Sequence, residues 1–96
     1  MIKYPYSKPE ITKSDILQVT NVLRSGYLTQ GKEIKIFESK ISKKFKSQYT
    51  VVCNSGTAAL HLVYSSINLG PNNGLLTTPL TFLATANAAK MCNAPV

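Results

Sequence analysis

Short β-branched or apolar segments alternate with stretches of helical spacing over the second half of the chain. The segments YTVVCN (49–54), LLTTP (75–79) and APV (94–96) have the composition of strands. Between them, residues 56–67 and 81–93 carry apolar side chains at three- and four-residue spacing, which is typical of helices. This order predicts an α/β fold with a parallel sheet and right-handed crossovers.

The first half of the chain is predicted to contain an extended arm and two helices. Two prolines in YPYSKPEIT favour an extended arm over residues 1–13. A helix is expected from Ser14 to Ser25, with Ser14 as a candidate N-cap and Gly26 as its stop signal. The loop GYLTQGK follows, and a lysine-rich amphipathic helix comes after it.

The length limits the chain to one small domain. With 96 residues, the margin between burial and chain entropy is thin. The strand and helix pattern also stops in the middle of its third strand, near Val96. We therefore expect the front portion of a larger α/β domain.

A net charge of +7 raises the question of nucleic-acid binding. Much of this charge lies between Lys32 and Lys46, at spacings that also carry Ile34, Phe37 and Ile41. The lysines are therefore interpreted as the solvated face of an amphipathic helix. No zinc-finger spacing or RNP-like aromatic pattern accompanies them, so no nucleic-acid partner is expected.

The two cysteines and the first residues bear on the compartment. Cys53 and Cys92 are far apart, without a CxxC motif or a metal-ligand cluster, so we expect reduced thiols and no metal. The start MIKYPYSKPE lacks the apolar core of a signal peptide. No window approaches the roughly 20 apolar residues of a membrane span. The expectation is a cytoplasmic protein without a membrane partner.

The turn between the first predicted strand and its helix has the chemistry of an anion site. A helix N-terminus offers unpaired amide groups and the positive end of the helix dipole, and so favours phosphate. Gly56 would let a ligand approach the backbone, Ser55 and Thr57 would add hydroxyls, and Ala58 and Ala59 add little bulk. Alternatively, Ser55 or Thr57 simply caps the helix. The residues alone leave both interpretations open.

Three segments together carry a family resemblance. LRSGYLTQGKEIKIFE, NSGTAALHL and LTTPLTFLATANA, in this order, resemble the N-terminal part of the DegT/DnrJ/EryC1/StrS family of sugar aminotransferases. The likeness extends from Tyr6 to Val96 and is greatest to the branch that serves pseudaminic acid synthesis. It implies a pyridoxal-phosphate enzyme of fold type I, in which residues 1–96 form part of the three-layer large domain. The arm would cover 1–13, and the helices and first sheet strands 14–96.

The resemblance also assigns site residues. It places Gly56, Thr57 and Ala58 on the cofactor phosphate, and Phe82 against the pyridine ring. Core packing is the alternative for Phe82, and His61 is expected to be a core histidine. On the nucleotide-sugar side of the pocket, which lies at a dimer interface in similar enzymes, the resemblance places Tyr6, Gly26, Tyr27, Leu28 and Thr29. Ordinary arm and turn residues are the alternative for this second group.

The activity implied by the resemblance is amino transfer from an amino acid, by family analogy glutamate, to a UDP-4-keto-6-deoxy amino sugar in a homodimeric parent enzyme. The family's Schiff-base lysine, and the aspartate beside the ring nitrogen, are expected beyond residue 96. None of the ten lysines matches that motif, so no catalytic residue is assigned and the chain alone is expected to be inactive. GLL also stands after GPNN, where the family has an acidic pair.

Two other function classes stay open at this point. One is a non-catalytic interaction fragment that pairs its sheet edge and apolar helix faces with a full-length relative. The other is a small basic nucleic-acid binder, whose complex with duplex DNA would have to survive moderate salt.

Overall fold

The computed structural model describes residues 6–96, so the first five residues of the predicted arm lie outside it. The chain divides into two compact units, Met1–Phe37 and Glu38–Val96. The described part contains the helices α1 (Lys13–Arg24), α2 (Lys32–Phe45), α3 (Gly56–Ser66) and α4 (Ala84–Met91). All four occur where the sequence predicts helices. None of these helices is long and apolar enough to cross a membrane.

Helix α1 begins with a capping box, two residues before the predicted cap. The Thr12 hydroxyl accepts a hydrogen bond from the Asp15 amide at 3.2 Å, and the Thr12 amide donates to the Asp15 carboxylate at 2.7 Å. Ser14 is therefore not the N-cap, because Thr12 alone has a carboxylate three residues later to return the bond. The predicted stop is confirmed: Ser25 is the C-cap, and Gly26 follows with a φ of 76°.

Helix α2 has the predicted extent and a solvated lysine face. It ends at Phe45, after which Lys46 has a φ of 53° and the Ser47 amide donates to the Ser42 carbonyl at 3.1 Å. This bond satisfies one of the last carbonyls of the helix. The division between the two units falls inside α2, so its first turns belong to the first unit and the rest to the second.

The predicted parallel sheet is absent from residues 6–96. The segments 49–54, 75–79 and 94–96 are irregular, and the one β-bridge in this range is an isolated antiparallel pair, Gly70 with Asn73. A ladder requires every second amide to meet a neighbouring strand. Here a single backbone bond, from the Leu75 amide to the Pro95 carbonyl at 2.9 Å, joins two of the three segments. The strand prediction is therefore not confirmed.

The core of the second unit lies between α3 and α4 and is built mainly from alanine. Tyr64 of α3 packs against three buried alanines, and the partly buried Leu60, Leu69, Leu75 and Cys92 surround this cluster. Ala88, Ala89 and Ala94 are almost completely buried, so the two helices approach closely. Helix α3 buries little of its own surface, because its Leu62 and Val63 are about half exposed and only Tyr64 is buried.

Candidate functional site

The predicted anion site corresponds to Ser55 and the first turn of α3. Ser55 has extended backbone angles, φ −160° and ψ 160°, and its hydroxyl accepts a hydrogen bond from the Ala58 amide at 3.1 Å. The Ser55 carbonyl accepts from the Ala59 amide at 3.0 Å. The capping interpretation is thus confirmed for Ser55, which takes one of the three amides that the resemblance assigns to phosphate.

The remaining two amides of this turn are available to a ligand. Within residues 6–96, neither the Gly56 nor the Thr57 amide has a hydrogen-bond acceptor, and the Thr57 hydroxyl has no partner. A Cβ atom built on Gly56 would meet nothing within 4 Å, so the space over this backbone is open. This turn therefore presents two amides and one hydroxyl, which are the kinds of donor that a phosphate would need.

Phe82 lies just before α4 and lines a cavity of about 300 Å³. Its ring is 80% exposed, so it is not packed in the core as the alternative interpretation expects. The cavity is mostly threonine and aliphatic, and its lining residues are Thr77, Thr78, Pro79, Thr81, Phe82, Leu83, Ala86 and Val96. A flat apolar ring that is exposed in this way can stack on another ring.

The four predicted cofactor residues do not share one cavity in the described chain. Gly56, Thr57 and Ala58 are not among the residues that line the cavity of Phe82. The side-chain contacts between α3 and α4 involve other residues. The Tyr64 hydroxyl donates to the Thr85 carbonyl at 3.4 Å, and Ser65 Oγ lies 3.6 Å from Cys92 Sγ.

The first unit contains a larger cavity, of about 570 Å³, between the end of α1 and the start of α2. Of the predicted sugar-side residues, Tyr27 and Leu28 line it. Gly26, Thr29 and the fully exposed Tyr6 do not. The sequence interpretation missed the polar side chains of this cavity, which are Gln18, Asn21, Ser25, Gln30, Lys32 and Glu33. Gln30 and Lys32 could have been found, since both lie in the LTQGK segment that carries part of the resemblance.

Two glycines shape the loop that borders this cavity. Gly26 has a φ of 76°, a conformation that other residues rarely adopt. A Cβ on Gly31 would come within 3.1 Å of the Tyr27 carbonyl oxygen, which is closer than an ordinary van der Waals contact. Ser25 adds a further constraint, because its hydroxyl accepts a hydrogen bond from the Tyr27 amide at 3.2 Å. Together these features hold Tyr27 at the cavity.

No group of three or more histidine, cysteine, aspartate or glutamate side chains among residues 6–96 could hold an ion. His61, expected in the core, is half-buried and lies outside the buried cluster.

Comparison with known proteins gives consistent matches. The model of the DegT/DnrJ/EryC1/StrS aminotransferase family matches residues 9–96. The chain is 43% identical over 91 residues to a UDP-4-amino-4,6-dideoxy-N-acetyl-beta-L-altrosamine transaminase of Campylobacter jejuni (serotype O:2, strain NCTC 11168). That match covers 95% of this chain and 24% of the Campylobacter protein.

Two further relatives also match most of this chain. The spore coat polysaccharide biosynthesis protein SpsC of Bacillus subtilis is 41% identical over 83 residues, which is 86% of this chain and 21% of SpsC. The UDP-4-amino-4-deoxy-L-arabinose--oxoglutarate aminotransferase of Shewanella sediminis is 33% identical over 90 residues, which is 94% of this chain and 23% of that enzyme. The chain thus spans less than a quarter of the length of each of these relatives.

Proposed function

Because the chain belongs to the DegT/DnrJ/EryC1/StrS aminotransferase family, we propose that it supplies part of the active site of a pyridoxal-phosphate-dependent nucleotide-sugar aminotransferase. The reaction moves an amino group from an amino acid, by family analogy glutamate, to a 4-keto nucleotide sugar. Two of the three relatives are named as transaminases of UDP-linked sugars, which supports this substrate class. Activity requires the parts of the enzyme that lie outside the matched quarter.

The observation that carries the proposal is the open first turn of α3. Gly56 and Thr57 offer two amides and a hydroxyl beside open space, and would hold the cofactor phosphate at the positive end of the helix dipole. When bound, pyridoxal phosphate supplies an electron sink for the carbon that loses or gains the amino group. Phe82, with its exposed ring, would hold the cofactor ring flat by stacking.

The cavity of the first unit is proposed to bind the nucleotide sugar. Tyr27 and Leu28 give it an apolar wall, while Gln18 and Asn21 can hydrogen-bond to sugar or base groups. The Lys32 ammonium would attract the diphosphate, since a cation favours a nearby dianion. Tyr6, Gly26 and Thr29 remain predicted sugar-side residues that line no part of this cavity.

We favour a UDP-4-keto-6-deoxy amino sugar of the pseudaminic acid type as the substrate. Support comes from the higher identity to the Campylobacter transaminase, 43%, than to the Shewanella arabinose enzyme, 33%. We further propose that the parent enzyme is a homodimer and that it works in the cytoplasm.

A chimaera tests the activity. The matching N-terminal segment of the Campylobacter transaminase is replaced by this chain. Amino transfer is then measured with two substrates, the 4-keto precursor of the UDP-altrosamine sugar and that of the UDP-arabinose sugar. The chimaera should prefer the altrosamine-type substrate. Thr57→Val in the chimaera should weaken cofactor binding about tenfold or more, since it removes a hydrogen bond to a charged group.

The control for that substitution is Thr20→Val. Thr20 lies within α1, and its hydroxyl donates to the Ile16 carbonyl of the same helix at 2.9 Å. The change therefore removes a threonine hydroxyl that already has a partner within α1 and belongs to no predicted site, and it should leave cofactor affinity unaltered. A folded chimaera without activity, or equal affinities for the two valine variants, would refute the proposal.

An interaction fragment remains the second candidate function. The observation that favours it is the exposure of Leu76 and Leu80, which are 99% and 93% accessible in a segment that has no strand partner among residues 6–96. Such a surface can pair with a full-length relative. Co-elution of the chain with the Campylobacter transaminase, without any gain in amino transfer, would favour this candidate.

A further inference from the structure

Glu38 of α2 makes a hydrogen bond to a main-chain amide that is distant in sequence. Its Oε1 accepts from the Val52 amide at 3.0 Å, in a partly buried position and across 14 residues. Among residues 38–96, this is the one hydrogen bond in which a charged side chain holds a distant amide. Both partners belong to the second unit.

The amide held by Glu38 belongs to a segment that has no strand partner in residues 6–96. Val52 lies in the middle of residues 49–54, where a sheet neighbour would otherwise accept this hydrogen. A partly buried amide without an acceptor is costly, and a carboxylate is a stronger acceptor than a neutral oxygen. Glu38 therefore fixes the path of this segment.

Two further hydrogen bonds join the residues between Val52 and the first turn of α3. The Cys53 thiol donates to the Ser55 carbonyl at 3.3 Å, and the Ser55 hydroxyl accepts from the Ala58 amide at 3.1 Å. Val52 precedes the helix cap Ser55 by only three residues. An anchored Val52 thus limits where the cap, and the amides of Gly56 and Thr57 after it, can lie.

We propose that Glu38 is a positioning residue for phosphate binding at the first turn of α3. This inference rests on the proposed function, because it takes Gly56 and Thr57 as the phosphate donors. Glu38 does not touch the ligand in this scheme. It acts through Val52, whose amide it holds, and so keeps the turn in one place before the phosphate arrives.

The sign of the expected effect separates this role from simple electrostatics. Removal of any acidic side chain makes the +7 chain more positive and by itself strengthens the binding of an anion. A positioning role for Glu38 predicts the opposite, weaker binding. Glu10 is the control, since it is an exposed acid that lies outside the lining of the first unit's cavity and has no hydrogen bond to the main chain in the described residues.

The experiment titrates the 96-residue chain with inorganic phosphate and with pyridoxal phosphate. Amide resonances of Gly56 and Thr57 report binding, and hydrogen exchange at Val52 reports the Glu38 bond. Glu38→Ala should speed exchange at Val52 and weaken phosphate binding about fivefold, as expected for one lost hydrogen bond. Glu38→Gln keeps an Oε1 acceptor and removes one negative charge, so it should bind at least as tightly as the unmodified chain, and so should Glu10→Ala.

The outcomes test the phosphate site and the positioning role of Glu38 separately. If the unmodified chain shows no saturable change at Gly56 and Thr57, the phosphate site itself is wrong, and the role of Glu38 falls with it. If that chain binds phosphate but Glu38→Ala binds as well as Glu10→Ala, only the positioning role is overturned. If Glu38→Ala does not fold, Glu38→Asp replaces it, because its carboxylate keeps the charge but is one methylene too short to reach Val52.

Discussion

A single carboxylate fixes the start of α1. The pKa of Asp15 is lowered from its usual 3.8, first because the Thr12 amide donates to the carboxylate and second because the Thr12 hydroxyl does so. Both bonds favour the ionised form in the folded chain. A carboxyl group whose folded pKa is depressed stabilises the fold above its unfolded pKa, and this stabilisation is lost as the pH falls through the folded value.

Acidification should therefore loosen the first turn of α1. As the pH falls from about 6 to about 2, the helical chemical shifts of residues 13–16 should decline once the pH is below the usual 3.8 of an aspartate. Asp15→Asn should remove this transition. Glu10→Gln, which changes an exposed acid before the helix, should retain it. An unchanged transition in Asp15→Asn would mean that another group controls the start of α1.

For single residues, the sequence predicts a helix end correctly when only one nearby residue type can adopt the backbone angles or make the cap that the end requires. Gly26 was predicted as the stop of α1 because few other residues adopt its φ of 76°. The N-cap of α1 is predicted at Ser14 but lies at Thr12, because serine and threonine side chains cap a helix in the same way. The deciding signal was Asp15, three residues after Thr12, which completes a capping box.

Among the elements, helices were predictable and strand pairing was not. Helix bounds depend on neighbours within four residues, so α3 was predicted from spacing and from the Ser55 turn. A strand needs a partner from elsewhere in the chain, and composition alone does not identify one. The same limit applies to the site. Tyr27 and Leu28 line a cavity from a loop, but the Gln18 and Asn21 side chains reach it from helix α1, which no local signal indicates.

Helix α3 depends on its cap, and this gives a prediction at the scale of the element. Ser55→Ala leaves the Ala58 amide without its acceptor and should lower the free energy of unfolding by about 1 kcal/mol. Denaturant unfolding followed by circular dichroism measures the loss. Ser66→Ala is the matched control, because it makes the same change at the last residue of α3, where the hydroxyl donates to Val63. Equal losses in both variants would show that Ser55 is no special cap.

At the scale of the whole molecule, the described residues bury only a small part of their apolar side chains. The core between α3 and α4 consists largely of alanines, whose side chains each remove little apolar surface from water. Larger side chains such as Ile67, Leu76 and Leu80 stay mostly exposed. Monomeric proteins rarely expose apolar surface on this scale, because covering it is the main source of stability. The exposed residues therefore favour association.

The 96-residue chain should consequently self-associate, and the contribution of Leu76 and Leu80 can be measured. Light scattering at increasing concentration should show a rise in average mass. The double substitution Leu76→Lys and Leu80→Lys should reduce this rise without loss of helix content, since neither side chain is buried. Added positive charge alone also opposes association. Asn72→Lys with Thr77→Lys controls for that effect, because both residues are exposed and polar. An equal reduction by the two pairs would assign the effect to charge, and a constant monomeric mass would contradict the prediction.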